Sequence, residues 1–153
     1  NIEQLYEEDP ENRNAEKIYE YSFKFYFGDK IAGRKNDLAI KENLVIKARS
    51  LNEKPVKLQV ALVMDNGASF GKIVELDPQL KEYRIPLSRL QPVKTVLLPR
   101  PYPTFLPFYF KHEQTAPFDT QRIESLQFSI GPGLGEEQLD EEHGVGIRWV
   151  QLQ

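Results

Sequence analysis

The sequence predicts an all-β domain in which two antiparallel sheets pack face to face as a sandwich. Apolar residues alternate with polar ones in short runs, and turn-forming residues separate these runs. The 153-residue chain, with 40% hydrophobic and 28% charged residues, is large enough to bury a core as one domain. About eight short strands, each apolar on one side, are best accommodated by two sheets whose apolar faces meet.

The chain divides into an N-terminal arm and a folded domain. Residues 1–16 are rich in Asn, Glu and Asp, contain Pro10 and have no apolar period, so they are predicted to be a linker or arm. Residues 17–153 are predicted to form the sandwich. Its first strand, at 17–27, alternates aromatic with polar residues, and we expect the aromatic side to be buried. The aromatic positions are Tyr19, Tyr21, Phe23, Phe25 and Phe27.

The next two alternating runs lie at 43–51 and 56–64. The break at 52–55 is short enough for a hairpin, so the two strands are predicted to pair antiparallel. The turn sequence Asp65-Asn66-Gly67 follows. Further strands are predicted at 71–76, 82–87, 94–98, 122–130 and 145–152. Gly131-Pro132-Gly133 is predicted to be a turn after the penultimate strand.

Prolines are concentrated in one segment, because seven of the eleven lie between Pro86 and Pro117. They disfavour helices and central strands there and predict a long, stiff loop. Residues 99–110 place five aromatic side chains on this backbone. Aromatic rings stack on the flat faces of sugars, and a stiff loop loses little entropy on binding. The same rings are also suited to covering one end of the sandwich or docking onto a neighbouring domain. The candidate sugar-binding residues here are Arg100, Tyr102 and Phe105.

Three polar residues interrupt or oppose apolar faces in central strands. They are Arg49, Gln59 and Gln127, and if they project from one sheet they are suited to bind sugar hydroxyls. The alternative is that these three residues lie on an ordinary solvent-exposed face of a sheet. Trp149 alternates with Ile147, which places the single tryptophan in the core.

Composition argues against several classes of partner. The formal net charge is −3 and basic residues are mixed with acidic ones, so nucleic acid is not an expected partner. There is no cysteine, which excludes disulfides, thiol nucleophiles and thiolate zinc sites. No apolar run reaches the roughly 18 residues of a transmembrane helix, so membrane insertion is not expected either.

No catalytic constellation is recognisable. His112 and His143 lie in different loops without metalloprotease spacing, and no serine sits in a nucleophile elbow. The protein is therefore predicted to be non-enzymatic and to need no cofactor. The acidic stretch at 136–143 is the only one with helix-forming composition. It supplies oxygen ligands of the kind that calcium prefers, but without EF-hand spacing, so a structural calcium and a solvated loop are both open.

Five segments stand in a characteristic order: LVIKARS at 44–50, LQVALVMDNG at 58–67, YRIPLS at 83–88, RIESLQFSI at 122–130 and GIRWV at 146–150. With this order of strand sequences, residues 17–153 resemble the galactose-binding-like jelly-roll domains. Many members of that family are carbohydrate-binding modules.

The resemblance implies a non-catalytic, C-terminal accessory domain of a secreted bacterial glycoside hydrolase-like protein. Its implied partners are a polysaccharide or oligosaccharide and a neighbouring catalytic domain. The implied location is extracellular, at the cell surface or periplasmic. The alternative is a structural β-sandwich that packs against a catalytic domain and binds no glycan.

Overall fold

A computed structural model describes residues 3–5, 18–97, 108–110 and 117–153. Most of the described residues lie in strands, as the alternating pattern predicts. The strands are β1 (Glu3–Leu5), β2 (Ile18–Tyr26), β3 (Asn43–Ser50), β4 (Val56–Met64), β5 (Ser69–Leu76), β6 (Lys81–Pro86), β7 (Gln91–Pro92), β8 (Thr95–Leu97), β9 (Phe108–Phe110), β10 (Ile123–Ile130) and β11 (Val145–Leu152).

The described strands form a larger and a smaller sheet. The larger sheet has the order β1-β2-β10-β4-β5-β7, and the smaller has the order β11-β3-β6. Strands β8 and β9 pair separately. Every described pair is antiparallel. The predicted two-sheet antiparallel sandwich is therefore confirmed.

The core lies between the two sheets and is built by strand alternation. On β4, the side chains of Leu58, Val60 and Leu62 point inward and are at most 2% exposed. On β3, Leu44 and Ile46 meet them from the opposite sheet. Full burial of each such side chain contributes roughly 1.5–3 kcal/mol, so this interface is the main source of the domain's stability.

The predicted hairpin between β3 and β4 is wrong. Strand β3 pairs with β11 and β6, whereas β4 pairs with β10 and β5 in the other sheet. The connection crosses the sandwich and is held by Ser50, whose Oγ donates to the Lys54 carbonyl at 2.7 Å and accepts from the Asn52 amide at 3.1 Å. Crossing brings the apolar faces of both strands together across the core, which pairing side by side does not do.

The predicted turn between β4 and β5 is confirmed. Gly67 has a φ of 84°, a conformation that favours glycine. Asn66 Oδ1 accepts a hydrogen bond from the Ala68 amide at 3.1 Å, and the Met64 amide donates to the Ala68 carbonyl at 2.8 Å. These bonds close the hairpin and set the β4–β5 register.

Short helical segments join β2 to β3, where the strand pattern gave no indication of helix. They are α1 (Gly28–Ile31), a 3-10 turn (Ala32–Arg34) and α2 (Lys35–Ala39). Leu38 is buried, at 8% exposure, and attaches α2 to the sandwich. Elements of four and five residues are too short to show a helical period, and tertiary contact stabilises them instead. The acidic stretch forms one 3-10 turn (Glu136–Gln138).

Strand β1 falls inside the segment that the sequence assigns to an N-terminal arm. It pairs with the start of β2, with Leu5 opposite Ile18. The division of the chain at residues 16 and 17 stays a prediction. Within the described residues, no helix has the length and apolar character needed to cross a bilayer.

Candidate functional site

Gln59 and Gln127 lie on the same face, the outer side of the larger sheet. Gln59 is opposite Ser129 and Gln127 is opposite Ala61, so the two glutamines are diagonal neighbours on adjacent strands. Both are buried, at 5% and 1% exposure. The side-chain amide of Gln59 donates to the Lys94 carbonyl at 3.2 Å, so the chain leading into β8 crosses this face. The structure thus brings the two residues together but covers them.

Other polar side chains on this covered face bond to one another. Ser22 Oγ lies 2.8 Å from Ser129 Oγ, and Ser69 Oγ lies 2.6 Å from Thr95 Oγ1. Ser22 also donates to the Glu20 carboxylate. Buried polar groups need such partners, so the face is organised as a buried polar layer.

Arg49 belongs to the other sheet, so the expectation that it shares a face with the two glutamines is wrong. It is exposed on the outer side of the smaller sheet, directly opposite Gly146 of β11. Its neighbours on that side follow from the strand register. We call this surface the tryptophan face; it is formed by Lys47, Arg49, Glu82, Arg84, Trp149 and Gln151.

Trp149 reaches this face because β11 contains a bulge. Ile147 is opposite Ala48 and Trp149 is opposite Lys47, so Arg148 is an extra residue between them. An inserted residue reverses the alternation, and Ile147 and Trp149 therefore face opposite sides of the sheet. Trp149 is partly exposed and is not among the residues packed against the core. Its predicted core position is wrong.

The Arg49 side chain leans toward β11. A Cβ atom placed on Gly146 would lie 3.6 Å from Arg49 Cγ and 3.8 Å from its Nε. Both are ordinary van der Waals distances, so the Arg49 side chain packs beside this position of β11. Arg49 and Trp149 are diagonal neighbours, with roughly 7–8 Å expected between their positions on the sheet.

Polar contacts organise the rest of the tryptophan face. Lys47 Nζ lies 3.6 Å from Glu82 Oε1. Arg84 Nη2 donates to Gln153 Oε1 at 3.0 Å, and Gln153 Nε2 donates to Gln151 Oε1 at 3.3 Å. A partly exposed indole thus lies on the same face as planar amide and guanidinium groups, the side-chain types that provide stacking and directional hydrogen bonds.

A second exposed surface runs along β2, where the predicted burial of the aromatic side is wrong for Tyr21, Phe23 and Phe25. Phe27, by contrast, is partly buried and packs against the core. Tyr21, Phe23 and Phe25 are 64%, 62% and 46% exposed. They face the same side as the core residues of β10, but the three-stranded sheet is too narrow to cover the outlying strand β2. Tyr21, Phe23 and Ile147 are among the residues that line a mainly apolar groove of about 340 Å³. We call Tyr21, Phe23 and Phe25 the aromatic row.

The remaining candidates show no further chemistry in the described part of the chain. His143 Nε2 lies 2.6 Å from the Gln138 carbonyl oxygen, and Glu141 pairs with Lys54 at 3.7 Å. No group of three or more histidine or acidic residues among the described positions is arranged to hold a metal. His112, Arg100, Tyr102 and Phe105 lie outside the described residues, so their roles stay predictions.

Two of the surfaces above were missed from sequence for identifiable reasons. The bulge in β11 does leave a mark, since the apolar positions change from Val145 and Ile147 to Val150 and Leu152, but the alternation of Ile147 with Trp149 was extended across it and the tryptophan face was not foreseen. The aromatic row did carry a signal, since a run made only of aromatic rather than aliphatic residues is also typical of recognition surfaces.

Comparison with known proteins agrees with the architecture. No family model and no curated protein matches the chain. Among solved structures, it is similar to a family 11 carbohydrate-binding module from Clostridium thermocellum in complex with a β-1,3-1,4-mixed-linked tetrasaccharide. The TM-score is 0.51 at 12% identity, over 99% of this chain and 80% of that one. At this identity the likeness concerns the fold, and the chain has the jelly-roll β-sandwich architecture that this carbohydrate-binding module also has.

Proposed function

We propose that this protein is a non-catalytic carbohydrate-binding domain and that it contacts sugar through the tryptophan face. The observation that carries the proposal is the position of Trp149 on the solvent side of a sheet, beside Arg49 and Gln151. Sugar rings stack their C–H faces on an indole, while amide and guanidinium groups bind the surrounding hydroxyls.

The wider setting is part of the same proposal. The fold is shared with a module solved with a bound oligosaccharide, which supports a glycan as the ligand. A catalytic domain in the same polypeptide is the proposed neighbour, and the proposed location is extracellular, at the cell surface or periplasmic. Sugar binding itself would need neither a cofactor nor calcium.

Affinity gel electrophoresis tests the proposal with mixed-linkage β-glucan and a panel of other polysaccharides in the gel. We expect at least one polysaccharide to retard the protein. Trp149→Ala should then weaken binding by about 2 kcal/mol, roughly 30-fold, because a central aromatic contact is lost. Trp149→Phe should retain part of the affinity, and Tyr21→Ala is the matched control at the other surface. Equal retardation of Trp149→Ala and the native protein would exclude this face as the site.

A second candidate function is docking of a neighbouring domain, and the aromatic row favours it. Three large aromatic side chains that are 46–64% exposed on one strand are unusual for a free surface. If the protein is instead a structural domain that docks through the row and binds no glycan, no polysaccharide will retard it. In that case Phe23→Ser should abolish co-purification with the parent protein's catalytic domain, whereas Trp149→Ala should leave it unchanged.

A further inference from the structure

The tryptophan face carries more positive than negative charge. It holds three cationic side chains and one carboxylate, although the whole chain has a net charge of −3. Glu82 is 3.6 Å from Lys47 and compensates that charge. The described contact of Arg84 is the neutral Gln153 side chain. Arg49 makes no side-chain hydrogen bond or ion pair with another described residue, so its charge is available to a ligand.

The position of Arg49 suits it to act together with Trp149. The Arg49 side chain packs beside Gly146 of β11, and β11 is the strand that carries the indole. A guanidinium group offers parallel N–H donors that match the two oxygens of a carboxylate. A sugar ring on the indole would therefore place a carboxylate substituent within the reach of the guanidinium group.

We propose that the tryptophan face selects acidic glycans, with a uronate ring stacked on Trp149 and its carboxylate bound by Arg49. This inference rests on the proposed function and specifies its substrate class. Arg84 contributes a second positive charge on the far strand of the same sheet, β6. The net result is a binding surface whose charge complements a polyuronate.

Charge and shape both favour a carboxylated sugar over other ligands. A neutral glycan would cover the Arg49 guanidinium without supplying a charged partner, and that desolvation costs binding energy. A nucleic acid needs a run of cations along its phosphates, whereas this face has a formal excess of only two positive charges. The single indole fits one stacked ring rather than a series of bases.

Isothermal titration calorimetry on the full chain tests the inference with two matched probes. One is a β-1,4-linked cello-oligosaccharide, and the other is its C6-oxidised form, in which glucuronate replaces glucose. We expect the acidic form to bind at least tenfold more tightly at low salt, with the difference shrinking as salt is raised. Arg49→Gln should abolish the preference, so that the acidic and neutral forms bind the variant with similar affinity. Lys72→Gln, an exposed cation on the larger sheet, is the control and should change neither affinity.

The outcomes separate this inference from the proposed function. If the neutral form binds equally well through Trp149, the acidic selectivity is wrong and the glycan-binding proposal stands. If neither these probes nor any of the panel polysaccharides binds, both are overturned. If a sulfated oligosaccharide or a single-stranded DNA oligonucleotide binds as tightly as the glucuronate form, the face is a general anion surface and carboxylate selection is wrong.

Discussion

Replacing the only tryptophan tests whether Trp149 lies on an outer face or in the core. A buried Trp→Ala substitution removes a large core side chain and typically costs about 3–5 kcal/mol. Trp149 is partly exposed and lies outside the core cluster, so we expect Trp149→Ala to lower the free energy of unfolding by about 1 kcal/mol. Ile46→Ala is the matched comparison, because Ile46 is 0% exposed on the inner side of the adjacent strand. It should cost about 2–5 kcal/mol.

Urea unfolding followed by far-ultraviolet circular dichroism gives both free energies. Fluorescence gives an independent measurement, because a single tryptophan makes the emission report on one site. An indole on the tryptophan face should be quenched by acrylamide, and an added ligand should protect it. The reasoning fails if Trp149→Ala is as destabilising as Ile46→Ala and the native emission is blue-shifted and resistant to quenching.

Three other predictions follow from the described contacts. Phe23→Ser should leave the melting temperature nearly unchanged, since the side chain is 62% exposed; a marked fall would show that the row is part of the core. Hydrogen bonding from Arg122 holds the pKa of Asp65 below its usual value. At a pH above the usual pKa of an aspartate the pair therefore stabilises the fold, and this stabilisation is lost as the pH falls through the lowered pKa of Asp65. The stability difference between the native protein and Arg122→Ala should therefore be present at pH 7 and disappear in acid, and a constant difference would contradict it. Chelation with EDTA should change neither the melting temperature nor glycan retention, and a fall in either would reveal a bound cation.

Local sequence was sufficient wherever the physical cause was local. Alternation along β4 and β10 predicts strands with one apolar side, because successive side chains in a strand point in opposite directions. The turn at Gly67 was predictable for a similar reason, since only a few residue types readily adopt its backbone conformation. The antiparallel sandwich follows from several such strands that each need to bury one face.

The location of the candidate site depends on long-range features. Gln59 and Gln127 have the expected neighbours, but the chain before β8 covers them, and no local pattern predicts that crossing. The exposure of Phe23 depends on how far the opposite sheet extends, which is a property of both sheets.

Alternation along the chain identifies most of the longer strands and the apolar side of most of them, although β1 lies in the segment predicted to be an arm. The pairing of the strands, the extent to which each sheet covers the other and the direction of Trp149 follow from the folded arrangement alone. The reason is that the alternation of apolar and polar residues defines the two faces of a strand but does not define which other strands or sheets each face contacts. The inserted Arg148 moves Trp149 to the solvent side, and the pairing of β11 with β3 then places it beside Arg49.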